Sequence, residues 1–101
     1  MRNLNREELI AELQRLRPMF EREGVTHMSL FGSRARRDNR PDSDVDLIVD
    51  LDETRKLSLL NLVGYHHIVE DNVGLETNVL IRRSLEPEFL RTIADDEVAV
   101  F

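Results

Sequence analysis

"LFGSRARRDNRPDSDVDLIVDL", residues 30–51, is the stretch whose reading decides this chain. An apolar run ends in Gly32-Ser33, and ten residues separate Ser33 from Asp44, which with Asp46 opens a second apolar run. In a strand, residues i and i+2 share a face, with Cα atoms roughly 6.5–7 Å apart. Asp44, Asp46 and Ile48 therefore point one way, and Val45, Leu47 and Val49 the other. Two converging carboxylates repel, and one is pushed toward protonation unless a cation meets them. Mg²⁺ prefers one or two carboxylates together with phosphate oxygens and water. Asp44 and Asp46 are thus candidate ligands of a Mg²⁺ that accompanies a nucleotide. A lone D-x-D at a strand end is more ordinarily a solvated acidic pair, so what precedes it matters.

Gly32 lets backbone approach a ligand closely. A helix starting there would offer free N–H groups and the positive end of its dipole, with the Ser33 hydroxyl as a further donor. This is a phosphate cradle; the plainer alternative is a strand-to-helix turn with Ser33 as N-cap. It is not a Walker A loop, because the second glycine and the Lys-Ser/Thr ending are missing. The cradle and the aspartate pair belong together: a short helix and a turn fit between them and would bring the second strand back beside the first. Arg34, Arg36, Arg37 and Arg40 crowd the same stretch. In a chain of net charge −6, a local basic patch suits a small anionic ligand better than a long polyanion, and no direct nucleic-acid binding is expected. Arginines kept for solubility on a solvated loop are the alternative.

The chain's 101 residues suggest one domain, residues 1–101, able to bury about two thirds of its unfolded surface. With no cysteine there is neither a disulfide framework nor a thiolate metal site, which fits a reducing cytoplasm. No basic-then-apolar leader is visible, and no apolar run approaches the roughly 20 residues of a membrane span.

Elsewhere, Asn5 and Glu8 read as a capping box, with Leu9, Leu13, Leu16 and Phe20 on one helical face behind it. Pro18 should kink or split that helix, and Gly24 should stop it. Residues 26–31 and 44–51 read as strands, 33–37 as a short helix and 54–71 as a leucine-rich helix. Residues 75–81 read as a third strand, and Glu86, Pro87 and Glu88 open a last helix running to about Ala94. "VAVF" at the end is too short to assign. The alternation implies an α/β (α+β) layer architecture: a small three-stranded mixed sheet packed with about four helices, mainly on one face, leaving the other to the aspartates.

Gly32-Ser33, ten residues, then Asp44-Val45-Asp46 resembles the G-S-x10-D-x-D signature of the DNA polymerase beta-like nucleotidyltransferase superfamily. "FGSRAR" and "RPDSDVDLIVD", with the length and element order of nearly the whole chain, resemble the minimal nucleotidyltransferases (MNT), the antitoxin partners of HEPN toxins. The resemblance implies the nucleotidyltransferase fold and transfer of AMP from Mg·ATP to a tyrosine of a partner HEPN toxin, within a hetero-oligomer. It implies that Gly32 and Ser33, helped by Arg34 and Arg36, hold the triphosphate. Asp44 and Asp46 would be the catalytic metal ligands.

Two departures stand out. Arg37 occupies a position where the family often has glycine. In the third strand, Asn78 stands where the superfamily's third carboxylate normally sits; an amide oxygen can coordinate a metal but cannot act as a general base. Glu76, on the same strand face, is a candidate substitute. Three functions remain open: an active toxin-modifying enzyme, a binding module of the same fold impaired at Asn78, and a small-molecule nucleotidyltransferase. The last usually needs an added acceptor domain, for which there is no room. Adjacent His66 and His67 diverge by ~100° on a helix, which suits a surface or interface better than a shared metal. Tyr65 reads as packing. The leucine-rich run 57–63 is apolar on more than one side, leaving room for an interface.

Overall fold

The computed structural model describes residues 3–101. Local chemistry sets the first elements. The Asn5 side chain accepts from the Glu8 N–H at 2.8 Å, and Glu8 accepts from the Asn5 N–H at 3.0 Å, which starts α1 (Arg6–Arg15). Leu16 ends that helix and heads α2 (Arg17–Arg22), whose first turn contains Pro18; the proline has split the helix as its missing N–H requires. Gly24 takes φ +93°, and β1 (Val25–Phe31) follows, then α3 (Gly32–Arg36) and β2 (Val45–Leu51).

The leucine-rich helix α4 spans Leu59–Val73 rather than residues 54–71, because its start is fixed where Asn61 Oδ1 accepts from the Ser58 N–H at 2.9 Å. It stops at Gly74, φ +81°. β3 (Thr77–Ile81), a 3-10 turn at Arg82–Ser84, α5 (Pro87–Ala94) and β4 (Val98–Ala99) complete the order.

The sheet has four strands, not the expected three, in the order β3-β2-β1-β4. The fourth is only two residues long, pairing antiparallel with Ser29 and Leu30 of β1. The pairing continues past it: Val100 N–H donates to the Met28 carbonyl at 2.8 Å, and Met28 N–H to the Phe101 carbonyl at 3.1 Å. β1 and β2 are antiparallel, whereas β2 and β3 are parallel, joined by the crossover helix α4.

The period-two reading of β2 holds. Val45, Leu47 and Val49 are fully buried in the main core with Leu9, Leu13, Phe20, Leu30, Tyr65 and Val69 from the helices and β1. Ile48, on the other face, packs in a second cluster with Phe31 and Ile93, backed by Leu80, Leu85 and Leu90. Helices therefore lie on both faces: α5 covers the Ile48 part of the face expected to be bare. Asp44 and Asp46 lie beyond it, partly exposed.

Candidate active site

Three strand ends meet at the aspartates. Phe31, the last residue of β1, pairs with Asp46 across the antiparallel ladder, and Asp46 pairs with Asn78 across the parallel one. The chain then turns sharply at Gly32, φ +75°, and enters α3. A Cβ on Gly32 would lie 2.3 Å from Asp46 Oδ2, well inside contact distance. Glycine is thus required twice over, by its left-handed backbone and by the carboxylate resting against it. Ser33, partly exposed, follows in the first turn of α3. Gly32, Ser33, Asp44 and Asp46 converge on one edge of the molecule.

Asn78 joins them. Its amide Nδ2 donates to Asp44 Oδ2 at 3.2 Å and to Asp46 Oδ1 at 3.1 Å. One neutral amide thus ties the two carboxylates together through its two N–H groups. Asp46 is held above the ordinary carboxylate range, first by burial and then by the Asp44 charge; the Asn78 hydrogen bond and the Arg36 charge pull the other way. Among the described residues, no group of three or more His, Cys, Asp or Glu side chains is arranged to hold a metal ion. Asp44 and Asp46 are a two-carboxylate site completed by an amide. Glu76 lines an open groove of about 390 Å³ beside them, with Asp44, Glu70, Thr77 and Asn78. Its backbone carbonyl accepts from the Val45 N–H at 2.8 Å, which fixes the start of β2.

The arginines separate by role. Arg34 is only 2% exposed. Its Nε donates to the Ser43 carbonyl at 3.0 Å, Nη2 to the Pro41 carbonyl at 3.2 Å and Nη1 to the Leu4 carbonyl at 3.5 Å. The guanidinium expected to face phosphates is turned inward, spending its donors on the loop that delivers Asp44. Burial lowers its pKa, while the neighbouring Asp44 charge acts against that. Arg36 is exposed and bridges Asp38 and Asp96, each at 3.1 Å. Arg37 takes the left-handed conformation, φ +67°, at the C-terminal cap of α3 and pairs with Glu7. The backbone there has the shape glycine adopts without strain. His66 Nδ1 lies 2.9 Å from the Thr77 carbonyl, tying α4 to β3. Tyr65 is fully buried, and its hydroxyl donates to the Glu23 carbonyl at 2.6 Å, so packing is its role.

The model of the nucleotidyltransferase domain matches residues 6–100. This chain belongs to the nucleotidyltransferase domain family. Among its relatives, a candidate protein adenylyltransferase of Methanocaldococcus jannaschii, MJ0435, is 35% identical over 83 residues, covering 82% of this chain and 87% of the relative. The protein adenylyltransferase MntA of Thermococcus cleftensis is 34% identical over 80 residues, covering 79% of each. The solved structure of a candidate minimal nucleotidyltransferase superposes with a TM-score of 0.82 at 26% identity, covering 97% of this chain and 98% of that one. A chain of the Shewanella oneidensis complex of tri-AMPylated HEPN toxin with MNT antitoxin shares the fold, with a TM-score of 0.67 at 10% identity, covering 92% and 71%. The nucleotidyltransferase fold that the resemblance implied is therefore the one observed, with an extra edge strand. No helix among the described residues is long and apolar enough to cross a membrane.

Proposed function

We propose that residues 1–101 form a single minimal nucleotidyltransferase domain that acts as an antitoxin. In this reading it transfers AMP from ATP to a tyrosine of a partner HEPN-type toxin, in a cytoplasmic hetero-oligomer. The observation that carries it is the packing of Gly32 against Asp46, which sets a side-chain-free turn beside a carboxylate pair. Oxygen donors of this kind suit a hard divalent cation such as Mg²⁺, and the space at Gly32 that a Cβ would fill suits a close approach of phosphate. Asp44 and Asp46 are the residues that would hold the ion, which when bound neutralises phosphate charge and favours departure of pyrophosphate.

This chain's own groups do the rest. Gly32 and Ser33 orient the triphosphate, while Arg34 serves from behind as the residue that positions the Asp44 loop. The acceptor hydroxyl oxygen forms a bond to the α-phosphorus as the bond from that phosphorus to the oxygen bridging to the β-phosphate breaks. Pyrophosphate leaves, and the hydroxyl proton passes to solvent or to a nearby carboxylate such as Glu76. A second reading is supported by Asn78, which ties up both aspartates and offers no base: a module that silences its partner by contact alone.

Incubation of the chain and its toxin partner with α-labelled ATP and Mg²⁺ separates the two. Label on the toxin, abolished by Asp44→Asn, is the expected result. A toxin that is inhibited but stays unlabelled would establish the contact-only reading instead.

A further inference from the structure

The two oxygens of the Asp46 carboxylate face different neighbours. Oδ2 rests over the Gly32 turn, 2.3 Å from where a Cβ on that glycine would lie. Oδ1 accepts from Asn78 Nδ2 at 3.1 Å, and the same nitrogen donates to Asp44 Oδ2 at 3.2 Å. One side of the carboxylate pair therefore meets a bare turn, and the other meets an NH₂ group. Strand pairing holds both neighbours in place. Phe31, immediately before Gly32, lies opposite Asp46 on β1, and Asn78 lies opposite it on β3. The NH₂ group has hydrogens to offer and no lone pair for a cation. With Nδ2 turned to the carboxylates, the amide oxygen, which alone could ligate, is turned away from them. The reverse orientation would set acceptor against acceptor on both aspartates.

Sites that transfer phosphoryl groups with two metals hold the ions about 3.5–4 Å apart, clamping the attacking and leaving oxygens. Divalent ions that close repel strongly and need negative charge on both sides. Here the charge is that of two carboxylates, since among the described residues no third Asp, Glu, His or Cys joins them in a metal-holding group. We infer that Asn78 limits this chain to one divalent cation, held on the Gly32 side of Asp44 and Asp46 together with the nucleotide phosphates. The Asn78 side, which opens on the groove of about 390 Å³ lined by Glu70, Glu76 and Thr77, stays metal-free. An acceptor hydroxyl entering from that groove is oriented by side chains and not by a second ion. The inference rests on the transferase reading, because it takes Mg·ATP to bind at this edge. It adds how many ions the site holds and which residue sets the number.

Manganese is the probe. The full chain is saturated with a non-hydrolysable ATP analogue and titrated with Mn²⁺, and unbound ion is counted by its electron paramagnetic resonance. Asp44→Asn gives the background from ions on the acidic surface. Spectra of the frozen complex show whether the bound ions are isolated or exchange-coupled. The wild type should take up one Mn²⁺ per bound nucleotide, with the spectrum of an isolated ion. Asn78→Asp, which sets a carboxylate where the NH₂ group lies, should take up a second and show a coupled pair. The wild-type count and spectrum decide whether or not that variant folds. Two coupled ions in the wild type would overturn the inference and leave the transferase reading standing. So would a folded Asn78→Asp chain that stops at one ion. A wild type that takes up no Mn²⁺ with the nucleotide would overturn both.

Discussion

Asn78 Nδ2 lies 3.1 Å from Asp46 Oδ1, directly opposite it in the parallel β2–β3 register. The β3 position that faces the two aspartates carries a neutral donor, which bridges them. A cation that binds them competes with this amide. Replacing it should have opposite effects on the metal-free fold and on the reaction. Asn78→Asp is expected to lower the metal-free melting temperature, since three carboxylates then crowd one edge, and to speed AMP transfer to the partner. General-base help is worth about 10²–10⁴ in rate. Glu76→Gln should slow the wild type only if Glu76 already supplies that help. Rates of label transfer across the three proteins decide, and brisk wild-type transfer indifferent to both changes would show that neither side chain serves as the base.

The Asp46 carboxyl is held above its ordinary range, chiefly by burial. The folded chain therefore binds this proton more tightly than the unfolded chain does. The resulting stabilisation is fully present below the unfolded pKa and is lost as pH rises through the raised folded value. Asp46→Asn cannot ionise, so it should melt higher than the wild type in metal-free buffer at neutral pH, with the advantage shrinking toward acid. Added Mg²⁺ and ATP should reverse the order, stabilising only the wild type. A melting-temperature series against pH, with and without Mg·ATP, measures both effects; a lower neutral-pH melting temperature for metal-free Asp46→Asn would contradict the account.

Gly32 answers to two constraints at once, φ +75° and the Asp46 carboxylate 2.3 Å from any Cβ. Gly32→Ala should cost about 1–3 kcal/mol of stability from the backbone alone and remove Mg·ATP stabilisation by displacing Asp46. Ser33→Ala, which disturbs no backbone, should weaken triphosphate binding by about 1–2 kcal/mol, the order of one charge-assisted hydrogen bond. Calorimetric titration with Mg·ATP ranks the two. If Gly32→Ala binds nucleotide as well as wild type, the phosphates lie elsewhere.

Arg34 is the loop's internal anchor. Arg34→Met keeps the bulk but leaves the Ser43 and Pro41 carbonyls without their donor, for an expected loss of about 1–3 kcal/mol. Arg34→Lys should rescue little, since a single ammonium cannot reproduce a planar fork serving separate carbonyls. Below their melting points, both variants should bind Mg·ATP more weakly through a misplaced Asp44. Denaturant unfolding with nucleotide titration checks this, and full stability in Arg34→Met would refute the anchoring role.

Much of this is legible in the sequence. The Asn5–Glu8 box, the Pro18 break and the alternation of β2 depend on near neighbours in sequence, and each falls where its chemistry requires. The pairing of Gly32-Ser33 with Asp44 and Asp46 was legible because ten residues permit only a short helix and a return. What escaped depends on distant partners. β4 is two residues whose strand character exists only through Ser29 and Leu30. The α5 cover needs Phe31, Ile48 and Ile93 to meet across three elements. Arg34 looked like its neighbours Arg36 and Arg37 in a polar run; only the carbonyls curling around it turn it inward. The Asn78 bridge needed the parallel register, which no local pattern states.

The inward turn of Arg34 ties the Gly32-Ser33 turn to the loop carrying Asp44, because a side chain of the short helix after that turn holds the backbone of the loop. Those hydrogen bonds are made without any ligand, so the loop is expected to be ordered at folding rather than at ligand capture. Nucleotide association should therefore proceed with a small heat-capacity change, a rate set by diffusion and desolvation, and no detectable slow rearrangement. A protein built this way meets its ligand as a finished surface, and its response to temperature is that of its fold.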